Sequence, residues 1–310
     1  MTNINYSESY NVDLVTVDLR DNGKFSQGEL ANIHESLLLN GLSVVRGFFS
    51  KEQLNVFAQE ALQCVQPDYE VGESLGMSIA SKISSTVNEF SHPFLVSKSA
   101  VELVTHPSIL SIIEEYIGDK AILHHSLFQQ SVPRVTSVID WHVDTGSNKV
   151  LNGPRRFPDK RLRMIVYLSD VSAGGLSYLC GTREAARYFL ELPIDTLFPN
   201  DELPTIKDRK VTVNERAGTI IFFDAHGLHK PDPPVDQRLV LNVWFARSDF
   251  SGSLPPTLVS MTSCPRESFG RTYIFKNARG FIGKIKKKED ANSNTLYYRL
   301  VKAINNRWLK

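Results

Sequence analysis

The sequence predicts a mostly β chain with flanking helices, an α+β arrangement whose short strands wind into a double-stranded β-helix, the jelly-roll barrel. Three observations carry that expectation. From residue 121 onward the chain breaks into short apolar runs, at 121–131, 138–143, 162–169, 176–180, 211–213, 219–223 and 238–246, punctuated by Gly and Pro. Helical periodicity is concentrated before Gly118. The 310 residues are ample for such a barrel, which commonly takes about 200–250.

In chain order, residues 12–19 alternate as a short strand would and suit the edge of the main sheet. Ser26 and Glu29 form a capping box that opens a helix carrying Leu30, Ile33, Leu37 and Leu38 on one side and ending near Gly41. Ser50 and Gln53 open a second helix with Leu54, Phe57, Ala58, Ala61 and Leu62 as its apolar stripe and Cys64 in the same packing. Residues 66–92, hydrophilic and without periodicity, read as a long loop of the kind that forms lids. Two short helices follow, separated at Pro107 and stopped at Gly118. His34 reads as a boundary residue, and His124 and His125, on opposite faces of the next strand, as core imidazoles in preference to ligands. Between Arg183 and Lys210 an insert adds a short helix at 184–191 and a loop containing Pro193, Pro199 and Pro204, a natural place for substrate specificity.

Composition excludes several classes. The net charge of +1 gives no overall field for nucleic acid. Three cysteines, Cys64, Cys180 and Cys264, without CxxC spacing, argue against a disulfide framework or a zinc site and for a reducing, cytoplasmic location. Neither a signal peptide nor an apolar run long enough to span a bilayer is legible. Charge is divided along the chain. Residues 1–265 are expected to form one jelly-roll domain, and 266–310 a basic extension with twelve Lys and Arg against Glu267, Glu289 and Asp290. Leu296, Leu300, Ile304 and Trp308 make the stripe of a terminal amphipathic helix, expected to dock on the barrel with its charges in water, or on a partner.

The chemistry is carried by Trp141-His142-Val143-Asp144. In an extended segment, side chains two apart share a face, so His142 and Asp144 present an imidazole and a carboxylate together. A first-row metal with open positions for oxygen chemistry is often held by two His and one carboxylate. The second imidazole has to come from elsewhere, and His229 is the best candidate, with His226 its rival in the same turn. That turn follows an apolar strand and precedes a Pro-rich loop and a strand opened by Arg238.

These residues resemble the phytanoyl-CoA dioxygenase-like branch of the Fe(II)/2-oxoglutarate-dependent oxygenases. The resemblance rests on the Trp-His-x-Asp start, on the run from Arg163 to Asp170 with the following Gly174 to Arg183, on the block from Gly218 to Arg238, and on Leu39 to Ser50, which looks like the family's opening strand. It spans roughly 27–247 and implies a cupin-like barrel. It implies further that His142, Asp144 and His229 bind Fe(II), and that Arg238 grips the distal carboxylate of 2-oxoglutarate, a task for which a planar guanidinium is suited. The expected activity is a dioxygenase reaction with O2, hydroxylating a small metabolite or a carrier-linked substrate and releasing succinate and CO2. A carboxylate at Asp144 separates the chain from related halogenases, which place a small residue there. Two departures stand out: Pro231 occupies the place of a small hydrophilic residue two positions after the last His, and Gly174-Gly175-Leu176 replaces Asn-Gly-Pro. The competing expectations are a non-redox metal enzyme of cupin type, which would not need Arg238, and a binding module without turnover on the same barrel. Asp224 is expected to fix the turn or to partner an imidazole.

Overall fold

The computed structural model describes residues 16–19, 25–65, 81–83, 87–91, 93, 97–119, 121–136, 139, 141–142, 144, 161–183 and 209–247. The expected strand start at 12–15, most of the long loop at 66–80, the insert at 184–208 and the basic extension lie outside these residues, as do the side chains of His124 and His125. The elements run β1 (Thr16–Asp18), α1 (Gln27–Asn40), β2 (Leu42–Arg46), α2 (Lys51–Cys64), β3 (Ser81–Ile83), β4 (Val87–Ser91), α3 (Lys98–Val104) and α4 (Pro107–Ile117). They continue with β5 (Ala121–Ser131), β6 (Leu162–Tyr167), β7 (Leu176–Leu179), β8 (Lys210–Val213), β9 (Ile220–Asp224), β10 (His229–Pro231) and β11 (Arg238–Arg247).

The helices begin and end where their local chemistry directs. Ser26 with Glu29, and Ser50 with Gln53, make complete capping boxes, each satisfying backbone donors that a helix start leaves unpaired. Such a cap is worth about 1 kcal/mol. Pro107 occupies the first turn of α4, where its missing N–H costs nothing, and Gly118 closes that helix in the left-handed conformation. The apolar stripes are narrower than the sequence predicts: Ile33, Leu37, Phe57 and Ala61 are fully buried, whereas Leu38 and Leu62 are 47% and 37% exposed.

Two sheets face each other. The larger has the order β1-β2-β9-β6-β11-β5-β4-β3 and the smaller β10-β7-β8. All pairings are antiparallel except β1 with β2 at the edge. Strand alternation then sorts the core into two layers. Val45, Met164, Val166, Ile220, Phe222, Leu241 and Val243 point toward the helices, while Val44, Ile165, Tyr167, Ile221, Phe223 and Val240 point toward the small sheet. Because both faces of the central strands are covered, β6 and β9 are buried along their whole length, which explains their nearly unbroken apolar sequences.

The hairpin β3–β4 was not expected, since it lies in the stretch that reads as loop. It extends the large sheet by pairing with β5. Only Phe90 among its described side chains is buried, so the strands owe their form to backbone bonds with an available neighbour and leave little periodic signal. The run at 138–143 shows the opposite outcome: among the described residues it provides no strand, only an isolated bridge of His142 with His229.

Candidate metal centre

One face of the large sheet supplies the floor of the site. Counting in twos along β11, Arg238, Val240, Asn242 and Trp244 share the face that looks at the small sheet, and Arg163, Ile165 and Tyr167 share it on β6. The register sets Arg163 beside both Trp244 and Phe223. The small sheet brings in His229, paired through β10 to Tyr178. His142 and His229 exchange two backbone hydrogen bonds of 3.0 Å, and the Asp144 N–H donates to Ala225 O at 2.8 Å. These bonds attach the 141–144 segment to the turn after β9, bringing residues eighty-odd positions apart in sequence to one point.

There the three predicted side chains meet. One ligand atom from each of His142, Asp144 and His229 lies within 4.8 Å of the others. Asp144 Oδ1 stands 3.7 Å from His142 Nε2 and 3.8 Å from His229 Nε2. The other carboxylate oxygen, Oδ2, accepts from Arg163 Nη1 at 2.7 Å and from Trp244 Nε1 at 3.2 Å. His229 Nδ1 is 2.9 Å from Gly227 O, so Nδ1 carries the proton and Nε2 keeps its lone pair for the site.

Electrostatics keep the group ready for a cation. Burial alone would raise the Asp144 carboxyl, but Arg163, followed by the two imidazoles and the Trp244 N–H, outweighs it and holds the group well below the usual carboxylate range. Burial pushes the His229 imidazole down to about 3, so the ring is neutral at ordinary pH and able to coordinate.

His226, the rival ligand, is directed elsewhere. Its Nδ1 is 3.2 Å from Asp224 Oδ1, and it lies outside the three-residue group. Asp224 itself is fully buried and anchors the whole turn. It accepts from the Tyr116 hydroxyl, pairs with Arg183 Nε at 2.9 Å, and accepts the His226 backbone N–H at 2.8 Å, while its carbonyl takes the Tyr178 hydroxyl at 3.1 Å. The expectation of a turn-fixing residue is met, with more partners than sequence could suggest. His34 pairs with Glu115 at 3.4 Å, away from the site.

Gly227 matters for the same turn. A Cβ placed there would stand 1.8 Å from the Tyr178 hydroxyl, and one on Gly41, at φ +75°, would stand 2.3 Å from it. Tyr178 is fully buried and cannot swing aside. Gly227→Ala should therefore cost about 1–3 kcal/mol by overpacking and weaken metal binding by shifting the backbone two residues from His229. Thermal melts with and without Mn2+ would check both effects; an unshifted melting temperature would refute them.

Arg238, the predicted carboxylate clamp, is 6% exposed. Its guanidinium donates to Gly174 O and lies 3.4 Å from Ser131 Oγ, and among the described residues no carboxylate forms an ion pair with it. Farther along the same face, the buried amide oxygen of Asn242 has no hydrogen-bond partner. A buried cation whose direct hydrogen-bond acceptors are neutral, with the Asp232 carboxylate acting on it without forming an ion pair, suits an anionic ligand.

Arg163 and Trp244 escaped sequence reasoning as site residues. The available signal was the charge itself: Arg163 is the one charged side chain in the strand Leu162-Arg163-Met164-Ile165-Val166-Tyr167.

The comparisons agree with this architecture. No curated protein matches the chain by sequence. Among solved structures, the non-heme alpha ketoglutarate dependent carbocyclase SnoK from nogalamycin biosynthesis superposes with a TM-score of 0.53 at 16% identity, over 73% of this chain and 85% of that one. EctD from S. alaskensis, in its apoform, gives 0.53 at 16% identity over 76% and 82%. The epimerase SnoN, crystallised with Fe3+, alpha ketoglutarate and nogalamycin RO, gives 0.51 at 18% identity over 76% and 87%. These likenesses are of fold, the jelly roll that the strand pattern predicts. No helix among the described residues is long and apolar enough to cross a membrane. The family model for phytanoyl-CoA dioxygenase (PhyH) matches residues 37–233, well over half of the 310, and the chain belongs to that family.

Proposed function

We propose that this chain is an Fe(II)- and 2-oxoglutarate-dependent dioxygenase that hydroxylates a small molecule, with His142, Asp144 and His229 as the iron ligands and Arg238 as the clamp on the co-substrate. The observation that carries the reading is the meeting of two imidazoles and one carboxylate within 4.8 Å, a donor set suited to non-heme iron. Membership of the PhyH family supports it, as does the jelly-roll likeness to SnoN, whose crystals hold Fe3+ and alpha ketoglutarate.

When bound, iron(II) with 2-oxoglutarate supplies oxidation of an unactivated C–H bond by O2, coupled to decarboxylation of the co-substrate to succinate and CO2. The chain's own part is positional. The Gly227 carbonyl fixes the His229 tautomer, and Trp244 with Arg163 holds one oxygen of Asp144, leaving Oδ1 toward the two imidazoles. Arg238, which a non-redox metal enzyme would not require, offers a charged fork for a distal carboxylate.

Anaerobic addition of Fe(II) and 2-oxoglutarate should produce a weak visible charge-transfer band, and admission of O2 should release succinate. Absence of both would refute the reading. Arg238→Gln should raise the KM for 2-oxoglutarate about 30-fold or more, the equivalent of losing a charge-assisted pair of about 2–3 kcal/mol. Metal affinity measured without co-substrate should change little, and an unaltered KM would remove Arg238 from the role. The substrate class, a small metabolite or a carrier-linked molecule, is open to a screen that reads succinate release.

A further inference from the structure

Arg163 brings a full positive charge to a place where a metal enzyme has good reason to avoid one. Its side chain is buried within an otherwise apolar strand, lying over the Trp244 ring at 4.0 Å and the Phe223 ring at 5.2 Å. Its Nη1 is 2.7 Å from Asp144 Oδ2 and 3.2 Å from His229 Nε2, the nitrogen that keeps its lone pair for the site. Its Nε is buried with no hydrogen-bond partner. A methionine or leucine would fill the strand position without desolvating a guanidinium, so packing alone does not explain the residue. Two of the three candidate ligands thus have a cation of the chain's own in direct contact.

We propose, resting on the iron-site reading above, that Arg163 is an internal counter-ion for the metal ligands. It holds Asp144 and His229 in place when no metal is bound and opposes divalent-ion binding. Two consequences follow from charge. A guanidinium donating to His229 Nε2 competes for the lone pair that a metal needs, and a like charge a few ångströms from a dication repels it. Asp144 and Arg163 cancel as a pair, so the carboxylate ligand leaves the charge of an entering dication uncompensated, and a dianionic co-substrate offsets it. Metal and dianion therefore bind with positive coupling, each tightening the other by the same factor. Arg163 is a positioning residue in this scheme: it reaches the reaction only through Asp144 and His229.

The test uses Mn2+, followed by its free-ion EPR signal, so that no turnover intervenes. Wild type, Arg163→Gln and Arg163→Lys are stripped of metal and titrated with and without 2-oxoglutarate, and each is melted with and without Mn2+. Arg163→Gln should bind Mn2+ at least about tenfold more tightly than wild type in the absence of 2-oxoglutarate. The tightening that 2-oxoglutarate gives to Mn2+ should shrink in the same variant, and its metal-stripped form should melt earlier than wild type while the Mn2+-loaded form recovers. Arg163→Lys, which keeps the charge, should stay near wild type. A merely structural arginine would give weaker metal binding on removal, never tighter. Recovery of folded Arg163→Gln only when Mn2+ is present would also support the proposal. Equal or weaker Mn2+ binding by a folded Arg163→Gln would overturn it, as would loss of folding in both variants with and without metal. A wild-type chain that binds no Mn2+ would overturn this proposal together with the iron-site reading, whereas wild-type binding with an unchanged Arg163→Gln would sink the proposal alone.

Discussion

An Asp144→Ala variant is expected to lose metal binding by more than about 100-fold, and with it all 2-oxoglutarate turnover. The bound is set by comparison: removing a residue that only orients a ligand typically costs about 10–100-fold in metal affinity, and Asp144 supplies an oxygen of its own. It is also the sole carboxylate of the three-residue group. Its loss leaves two imidazoles and an uncompensated Arg163, whose charge repels a dication. His229→Ala should behave similarly, whereas His226→Ala should keep metal, because that imidazole is engaged with Asp224 at 3.2 Å. Metal content after equilibrium dialysis and succinate formation measure the outcome. Loss of metal in His226→Ala with retention in His229→Ala would reverse the assignment.

The second large effect is on stability. Asp224→Ala removes an acceptor shared by the Tyr116 hydroxyl, the Arg183 guanidinium and the His226 backbone N–H, all at a fully buried carboxylate. Breaking such a pair by deleting one side typically costs about 3–5 kcal/mol, which corresponds to a melting temperature lower by roughly 5–15 °C. Asp224→Asn keeps the shape and should lose less. The pH dependence has a definite sign. Burial alone would raise the Asp224 carboxyl, but hydrogen bonds and charge from His226, with the Tyr116 hydroxyl, outweigh it and leave the folded value depressed. A depressed carboxylate stabilises the fold above the ordinary aspartate range, and that contribution is lost as pH falls through it. The gap between wild type and Asp224→Asn should therefore be full at neutral pH and narrow below about pH 4. A gap that widens in acid would refute the account. Because the same turn leads to His229, metal affinity should fall alongside stability.

How much of this was legible beforehand follows the range of the forces involved. The capping boxes at Ser26 and Ser50 and the stops at Gly41 and Gly118 could be read from sequence, because each acts within four residues of chain. The apolar strands β6, β9 and β11 were legible for a different reason: burial on both faces of a sheet writes itself into every position. The hairpin β3–β4 was missed because its strands depend on backbone bonds offered by β5, which any sequence can accept. In the candidate site, His142 and Asp144 could be paired from their spacing, whereas the preference for His229 over His226 and the role of Arg238 came from the family resemblance.

What sequence determined, then, was the kind of fold and the identity of the donor atoms. Tertiary structure decided which donors converge. The two backbone bonds joining His142 to His229, and the carboxylate of Asp224 that holds His226, set His229 and not His226 beside His142 and Asp144. Only the register of β6 against β9 and β11 could reveal that Arg163 lies between Phe223 and Trp244 and touches two of the candidate ligands. The physical reason is that side-chain chemistry is local and written in the residue, whereas convergence depends on strand register, in which a slip of one position would send Arg163 to the helix side of the sheet and Met164 to the side of the candidate metal centre.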